Sequence, residues 1–172
     1  MSHTCHHWRA AGVLAFAGAL LSGPAFADGL LVTHRLSAEM ASTIASEVVA
    51  HCAQQGYAET AVVVDADGVR QAVLRGDRAG AHTLDSANDK AYTAASFKTD
   101  TAALADRAKT VPGFSALFTQ LPHLILIGGG VVIKLGDEVV GAVGAAGAPG
   151  GNLDEACARA GVDKVRGQLS AK

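Results

Sequence analysis

The side chains best suited to chemistry cluster between Arg75 and Thr93. His82 ends a Gly-rich, charged loop, Arg75 to Ala81, just before a helical pattern. A neutral imidazole there can give a lone pair to a metal. Arg75, Arg78 and Lys90 flank it in sequence, and a guanidinium grips a carboxylate with two parallel hydrogen bonds. Thr93 lies one helical turn beyond Lys90 and offers a hydroxyl on the same face. Downstream, Asp154 and Glu155 follow a second Gly-rich loop, Gly147 to Gly151, and open the last helical pattern. Each has a plainer alternative. His82 reads equally as an exposed residue at a helix start, the basic residues as surface charge, and the acidic pair as a complement to the helix dipole.

The other histidines are weaker candidates. His51 edges the buried stripe of the first helical pattern, His123 is placed to cap a strand, and His34 lies near the start of the expected mature chain. Among His34, His51, His82 and His123 no pair shows His-x-x-x-His spacing, and Cys52 and Cys157 are far from Cys-x-x-Cys spacing, which argues against structural zinc. Gly128-Gly129-Gly130 runs into a strand rather than a helix, so it lacks the helix terminus that cradles phosphate. No Gly-x-Ser-x-Gly elbow is present, and no catalytic residue is assigned.

The first 27 residues say where this chemistry takes place. A basic stretch, Met1 to Arg9, leads into an uncharged apolar run from Ala10 to Leu21, then Gly23-Pro24 and the small-x-small site Ala25-Phe26-Ala27. That order describes a secretory signal peptide. The run holds about 12 residues, whereas a membrane-spanning helix needs roughly 20. The expectation is a mature chain starting at Asp28, in a periplasm or outside the cell.

Without the leader, about 145 residues remain, enough for one domain with its own core. Removing Arg9 from the 14 Lys and Arg leaves 13 basic against 16 acidic residues, a balance near −3. Nucleic acid is a poor partner for such a surface, and no further run is long enough to span a bilayer. The 20 glycines and 5% aromatic content suit closely approached elements. Cys5 leaves with the leader, so Cys52 and Cys157 remain. They form either a disulfide or two small buried hydrophobes. A bond would close a loop of about 105 residues, stabilising by roughly 4 to 5 kcal/mol in the chain-entropy model.

The elements that must position these residues can be read in order. Thr33 to Leu36 is a lead-in with edge-strand character. Ser37 is a helix N-cap, and Ala41, Ile44, Ala45, Val48 and Cys52 then repeat with one-face helical spacing until Gly56. Ala61 to Val64 and Val69 to Arg75 flank Asp65-Ala66-Asp67-Gly68, a hairpin signal. Asp85 to Lys98, Thr101 to Lys109 and Gly113 to Leu121 read as helices. Leu124 to Ile127, Val131 to Leu135 and Glu138 to Ala145 read as strands, the last two joined by Gly136-Asp137, and a helix runs from about Leu153 to Leu169. Segregated hairpins and helices predict an α+β domain on one antiparallel sheet.

Five blocks of residues, in order, resemble one known family. They are Val62 to Gly68 with Arg75-Gly76-Asp77; Asp89-Lys90-Ala91-Tyr92-Thr93-Ala94-Ala95-Ser96-Phe97; Ile127 to Ile133; Gly141-Ala142-Val143-Gly144; and Gly147 to Ala158. The family is the GlcG/HbpS-like proteins, which also occur as the C-terminal part of some PduO proteins. Gly128-Gly129-Gly130 departs from a Pro-Gly-Gly pattern that many members carry. The resemblance implies a single five-stranded antiparallel sheet flanked by helices, with profilin-like layering, and assembly into homo-oligomers. It also implies tetrapyrrole binding, with secreted members tied to haem capture and haem degradation.

In that setting His82 is the first candidate for the haem iron, and Arg75, Arg78 and Lys90 become partners for propionate groups. Thr93 and Glu155 are further ligand contacts. The rival reading is an enzyme or accessory factor for a small organic acid, with Arg78, Lys90 and Glu155 lining its pocket. A third is a protein whose assembly is its function.

Overall fold

The computed structural model describes Met1 and residues 29–169. The predicted leader, apart from Met1, and its cleavage point therefore lie outside the described residues. The chain divides into two units, Met1–Val32 and Thr33–Lys172, and every described helix and strand belongs to the second. No helix among the described residues is long and apolar enough to cross a membrane.

The second unit opens with α1 (Ala38–Gln54), where Ser37 Oγ accepts the Met40 N–H at 3.1 Å and satisfies a first-turn donor. Its buried stripe is Ala41, Ile44, Ala45, Val48 and Cys52, as the spacing predicted. The hairpin β1 (Thr60–Asp65) and β2 (Arg70–Arg75) follows. Asp65 Oδ1 accepts the N–H groups of Asp67 and Val69, and Gly68 supplies the positive φ of +83° that the turn requires. Then come α2 (His82–Phe97), α3 (Thr101–Thr110) and α4 (Phe114–Gln120). The hairpin β3 (Gly130–Leu135) and β4 (Glu138–Ala146) precedes α5 (Gly151–Val165), which ends in a short 3₁₀ turn, Arg166–Gln168.

The strands form one antiparallel sheet in the order β2-β1-β4-β3. Alternation along the buried central strand β1 sends Ala61 and Val63 to a core with Ile44 and Val48 of α1 and Cys157 and Ala158 of α5. Val62 and Val64 face the opposite way, against Ala87, Ala91, Ala94 and Ala95 of α2. This second layer is thin because its residues are small. A Cβ at Gly144 of β4 would overlap the Ala87 carbonyl, so only glycine lets α2 settle there. The abundance of Ala and Gly thus becomes close helix–sheet approach.

Three expectations need correction. The sheet has four strands, not five, because Leu124 to Ile127 forms no strand. The Ile125 N–H is taken by Thr93 Oγ1 of α2 at 3.0 Å, and Gly129, at φ +118°, turns the chain before β3 begins. Thr33 to Leu36 likewise stays outside the sheet, although Leu36 is buried against it and its carbonyl accepts from Gln71. His123 consequently caps no strand. It occupies a turn at φ +64°, with Nδ1 3.1 Å from Asp89 Oδ1. Cys52 and Cys157 form a disulfide with a Cα–Cα distance of 5.6 Å, joining α1 to α5.

Candidate functional site

The loop between β2 and α2 is the first wall of the site. The Gly76 N–H donates to the Glu59 carbonyl at 2.8 Å, which continues the β1–β2 pairing into the loop. The Arg75 guanidinium donates to the Ala79 carbonyl and the Ala79 N–H donates to Gly76, so the loop closes on itself. Arg78, at its apex, takes a left-handed φ of +66°, an uncommon conformation for a residue with a side chain. The His82 ring folds back over Gly80, where a Cβ would come within 2.6 Å of Cε1. Thr83 turns inward, donates to Gly80 O and meets Thr60 Oγ1 at 2.6 Å.

The opposite wall is the segment from Ala146 to Gly151, which leads into α5. Gly147, at φ +145°, presses against the Ala58 carbonyl, and Gly151 packs on Gly128. The Ala148 N–H donates to Asp154 Oδ1 at 2.9 Å, so a residue in the first turn of α5 pins its own entry loop. Beneath, the Lys90 ammonium lies 2.5 Å from Asp154 Oδ2 and 2.9 Å from the Ala145 carbonyl.

Between these walls lies a cleft of about 450 Å³ lined by Arg78, His82, Thr83, Lys90, Ile127, Pro149 and Asp154 with the intervening small residues. Three of the predicted residues, His82, Arg78 and Lys90, thus share one space. They differ in availability. Among the described residues neither His82 nitrogen has a hydrogen-bond partner and Arg78 has no carboxylate partner, whereas Lys90 is 2% exposed and ion-paired.

The other predicted residues are placed elsewhere. Arg75 is exposed on the edge strand and holds the loop rather than facing the cleft. Thr93 is buried under the segment 123–125. Glu155 lies across the Gly128–Gly151 contact in a neighbouring space of about 660 Å³, bound to Arg159 through Oε1, while Oε2 has no partner among the described residues. His51 lies in the last turn of α1, and His34 binds Glu138 at 2.7 Å.

Glu59 escaped the sequence reading. It directly precedes β1, is 1% exposed, and its Oε1 has no hydrogen-bond partner among the described residues. Burial and then the negative charge of Asp154 push its carboxyl up to about 8, with Lys90 opposing the rise. The carboxyl therefore holds its proton at neutral pH. The one available signal was an acidic residue only two positions before the apolar run Ala61 to Val64.

A family model described as haem-degrading protein HbpS-like matches residues 36–163. A double mutant of HbpS from Streptomyces reticuli is 34% identical, covers 84% of this chain and 97% of its own, and superposes with a TM-score of 0.73. Another crystal structure of HbpS is 33% identical over 82% of this chain and 97% of its own, with a TM-score of 0.74. PduOC in complex with haem shares the fold at 23% identity and a TM-score of 0.70, over 76% of this chain and 94% of its own. No curated protein sequence matches the chain significantly.

Proposed function

Because the chain belongs to the HbpS-like family, we propose that it is an exported haem-binding protein that sequesters haem or assists its breakdown. The observation that carries this reading is the cleft, where the His82 imidazole and the Arg78 guanidinium, neither paired with a carboxylate among the described residues, stand beside Ile127, Pro149 and the glycine loop. An imidazole donor, apolar walls and an uncommitted cation are what an iron macrocycle with propionate arms needs from a protein. The residues present fit that group. His82 would hold the iron and Arg78 a propionate, while Lys90 and Asp154 brace the cleft from beneath. Haem, when bound, would supply a Lewis-acidic, redox-active iron and a strong visible absorption. A structural neighbour crystallised with haem supports the same ligand class.

Export is supported by the leader and by the disulfide, which forms and persists in oxidising compartments. Assembly into homo-oligomers is part of the same proposal. The organic-acid alternative draws on Arg78, Lys90 and Glu155 together, yet Glu155 faces a different space and Lys90 is neutralised by Asp154.

The deciding experiment is a hemin titration of the purified mature protein. Saturable binding with a shifted Soret band is expected, His82→Ala should weaken it, and His51→Ala should leave it intact. Absence of any saturable signal would remove the proposal. Equal behaviour of both variants and the parent would remove His82 as the iron ligand.

A further inference from the structure

The Glu59 carboxyl, closed to solvent, has a second neighbour besides Asp154. Its Oε2 stands 3.2 Å from Sγ of Cys52, whose disulfide to Cys157 joins α1 to α5. When a disulfide is reduced, the departing sulfur leaves as a thiolate, and a buried thiolate is costly unless a proton reaches it. A carboxyl that keeps its proton beside that sulfur can supply one.

We propose that Cys52, Cys157 and Glu59 form a proton-coupled thiol–disulfide redox site that accepts electrons from a dithiol, with Glu59 as proton donor to Cys52. A thiolate of the dithiol bonds to Cys157 Sγ. The Cys52–Cys157 bond breaks, its electron pair goes to Cys52 Sγ, and that sulfur takes the proton from Glu59. The second thiolate of the reductant then attacks its own partner sulfur, closes a cyclic disulfide and releases Cys157, which takes a proton from water. The dithiol loses two electrons and the protein disulfide gains two. The two protons of the dithiol go to solvent, and solvent returns one to Glu59 and one to Cys157.

The surroundings suit a carboxyl that must give up and regain a proton. Asp154 of α5 and Lys90 of α2 act on it from opposite signs. On its other side lies a cleft of about 350 Å³, bordered by Val49, Ala53, Tyr57, Asp77 and Arg78 and lined in part by Glu59. The carboxyl itself is closed to it at rest, so a proton returns from water through the same local opening that admits the reductant. Both sulfurs are buried, Cys52 at 0% and Cys157 at 2% exposure. Attack on Cys157 therefore follows a local opening of the α1–α5 seam, a smaller event than unfolding.

The test is reduction of the haem-free mature protein by dithiothreitol, followed by alkylation and mass measurement, with rates divided at each pH by the thiolate concentration and by the α1–α5 opening equilibrium read from amide hydrogen exchange. The normalised rate should fall at least about tenfold as pH passes through 8, where Glu59 loses its proton. Glu59→Gln, which has no proton to give, should be slower than the parent by about tenfold at pH 6.5 and show a flat profile. A flat profile in the parent overturns the proposal, as does a Glu59→Gln rate equal to the parent's. So does reduction no faster than global unfolding followed by circular dichroism. If Glu59→Gln fails to fold, the parent's pH profile decides alone.

Discussion

Lys90 Nζ lies 2.5 Å from Asp154 Oδ2, and both side chains are closed to solvent. This one contact ties α2 to the first turn of α5, while the 2.9 Å bond to the Ala145 carbonyl ties both to β4. Removing one partner strands the other charge in an apolar setting. Lys90→Met is therefore expected to lose about 3 kcal/mol, seen as a fall in melting temperature of roughly 10 °C. Asp154→Asn should lose a comparable amount and also loosen the glycine loop, because Asp154 Oδ1 accepts the Ala148 N–H. A loss below about 1 kcal/mol for both variants would mean that the pair is solvated and weak.

Glu59 makes stability depend on pH with a definite sign. Its folded-state pKa is raised from 4.5 to about 8, so in that window the native chain holds a proton that the unfolded chain has released. Stability from this group is fully present below pH 4.5, falls as pH rises, and levels off above 8. Glu59→Gln removes the titration. It should match the parent near pH 5 and exceed it at pH 9 by on the order of a few kcal/mol, read as denaturant midpoints at the two pH values. A parent curve that stays level from pH 5 to 9, apart from other titrations shared with the variant, would contradict the burial of an uncompensated carboxyl.

The disulfide closes a loop with a sequence separation of 105 residues. Constraining so long a segment of the unfolded chain should contribute roughly 4 to 5 kcal/mol. Cys52→Ala with Cys157→Ala should lower the denaturant midpoint accordingly, and adding reductant to the parent should reproduce most of that change. Equal midpoints for parent and double variant would show that the α1–α5 seam holds without the bond.

The legible parts of this fold were those where one residue type does one local job. Ser37 and the stripe from Ala41 to Cys52 define α1, and Asp65 with Gly68 defines the first hairpin. The fifth strand was misjudged because Leu124 to Ile127 has strand composition, while its one telling partner, Thr93, is some thirty residues away. Thr93 Oγ1 secures that segment by accepting the Ile125 N–H. Lys90 was singled out as an available cation, but its partner Asp154 is 64 residues distant. Glu59 went unnoticed for the same reason. Burial of a carboxyl is a property of the assembled layers, and nothing adjacent in sequence announces it.

Gly80 offers the sharpest probe of the cleft. A Cβ there would sit 2.6 Å from His82 Cε1 and 2.8 Å from Nδ1, and the nearest atoms belong to the His82 ring. Because that ring ends a side chain that can rotate, Gly80→Ala should cost less than about 1.5 kcal/mol of stability while forcing the imidazole out of its present position. A binding role for His82 then predicts weaker hemin affinity by about tenfold, equivalent to about 1.4 kcal/mol, with the melting temperature nearly unchanged. Combining Gly80→Ala with His82→Ala should add nothing further, since two changes acting through one ring are not additive. Measured hemin affinities of the two single variants and the double variant check this directly. If Gly80→Ala binds hemin as the parent does although the ring has moved, the iron is held by another residue, and His82 is an exposed histidine at the start of α2.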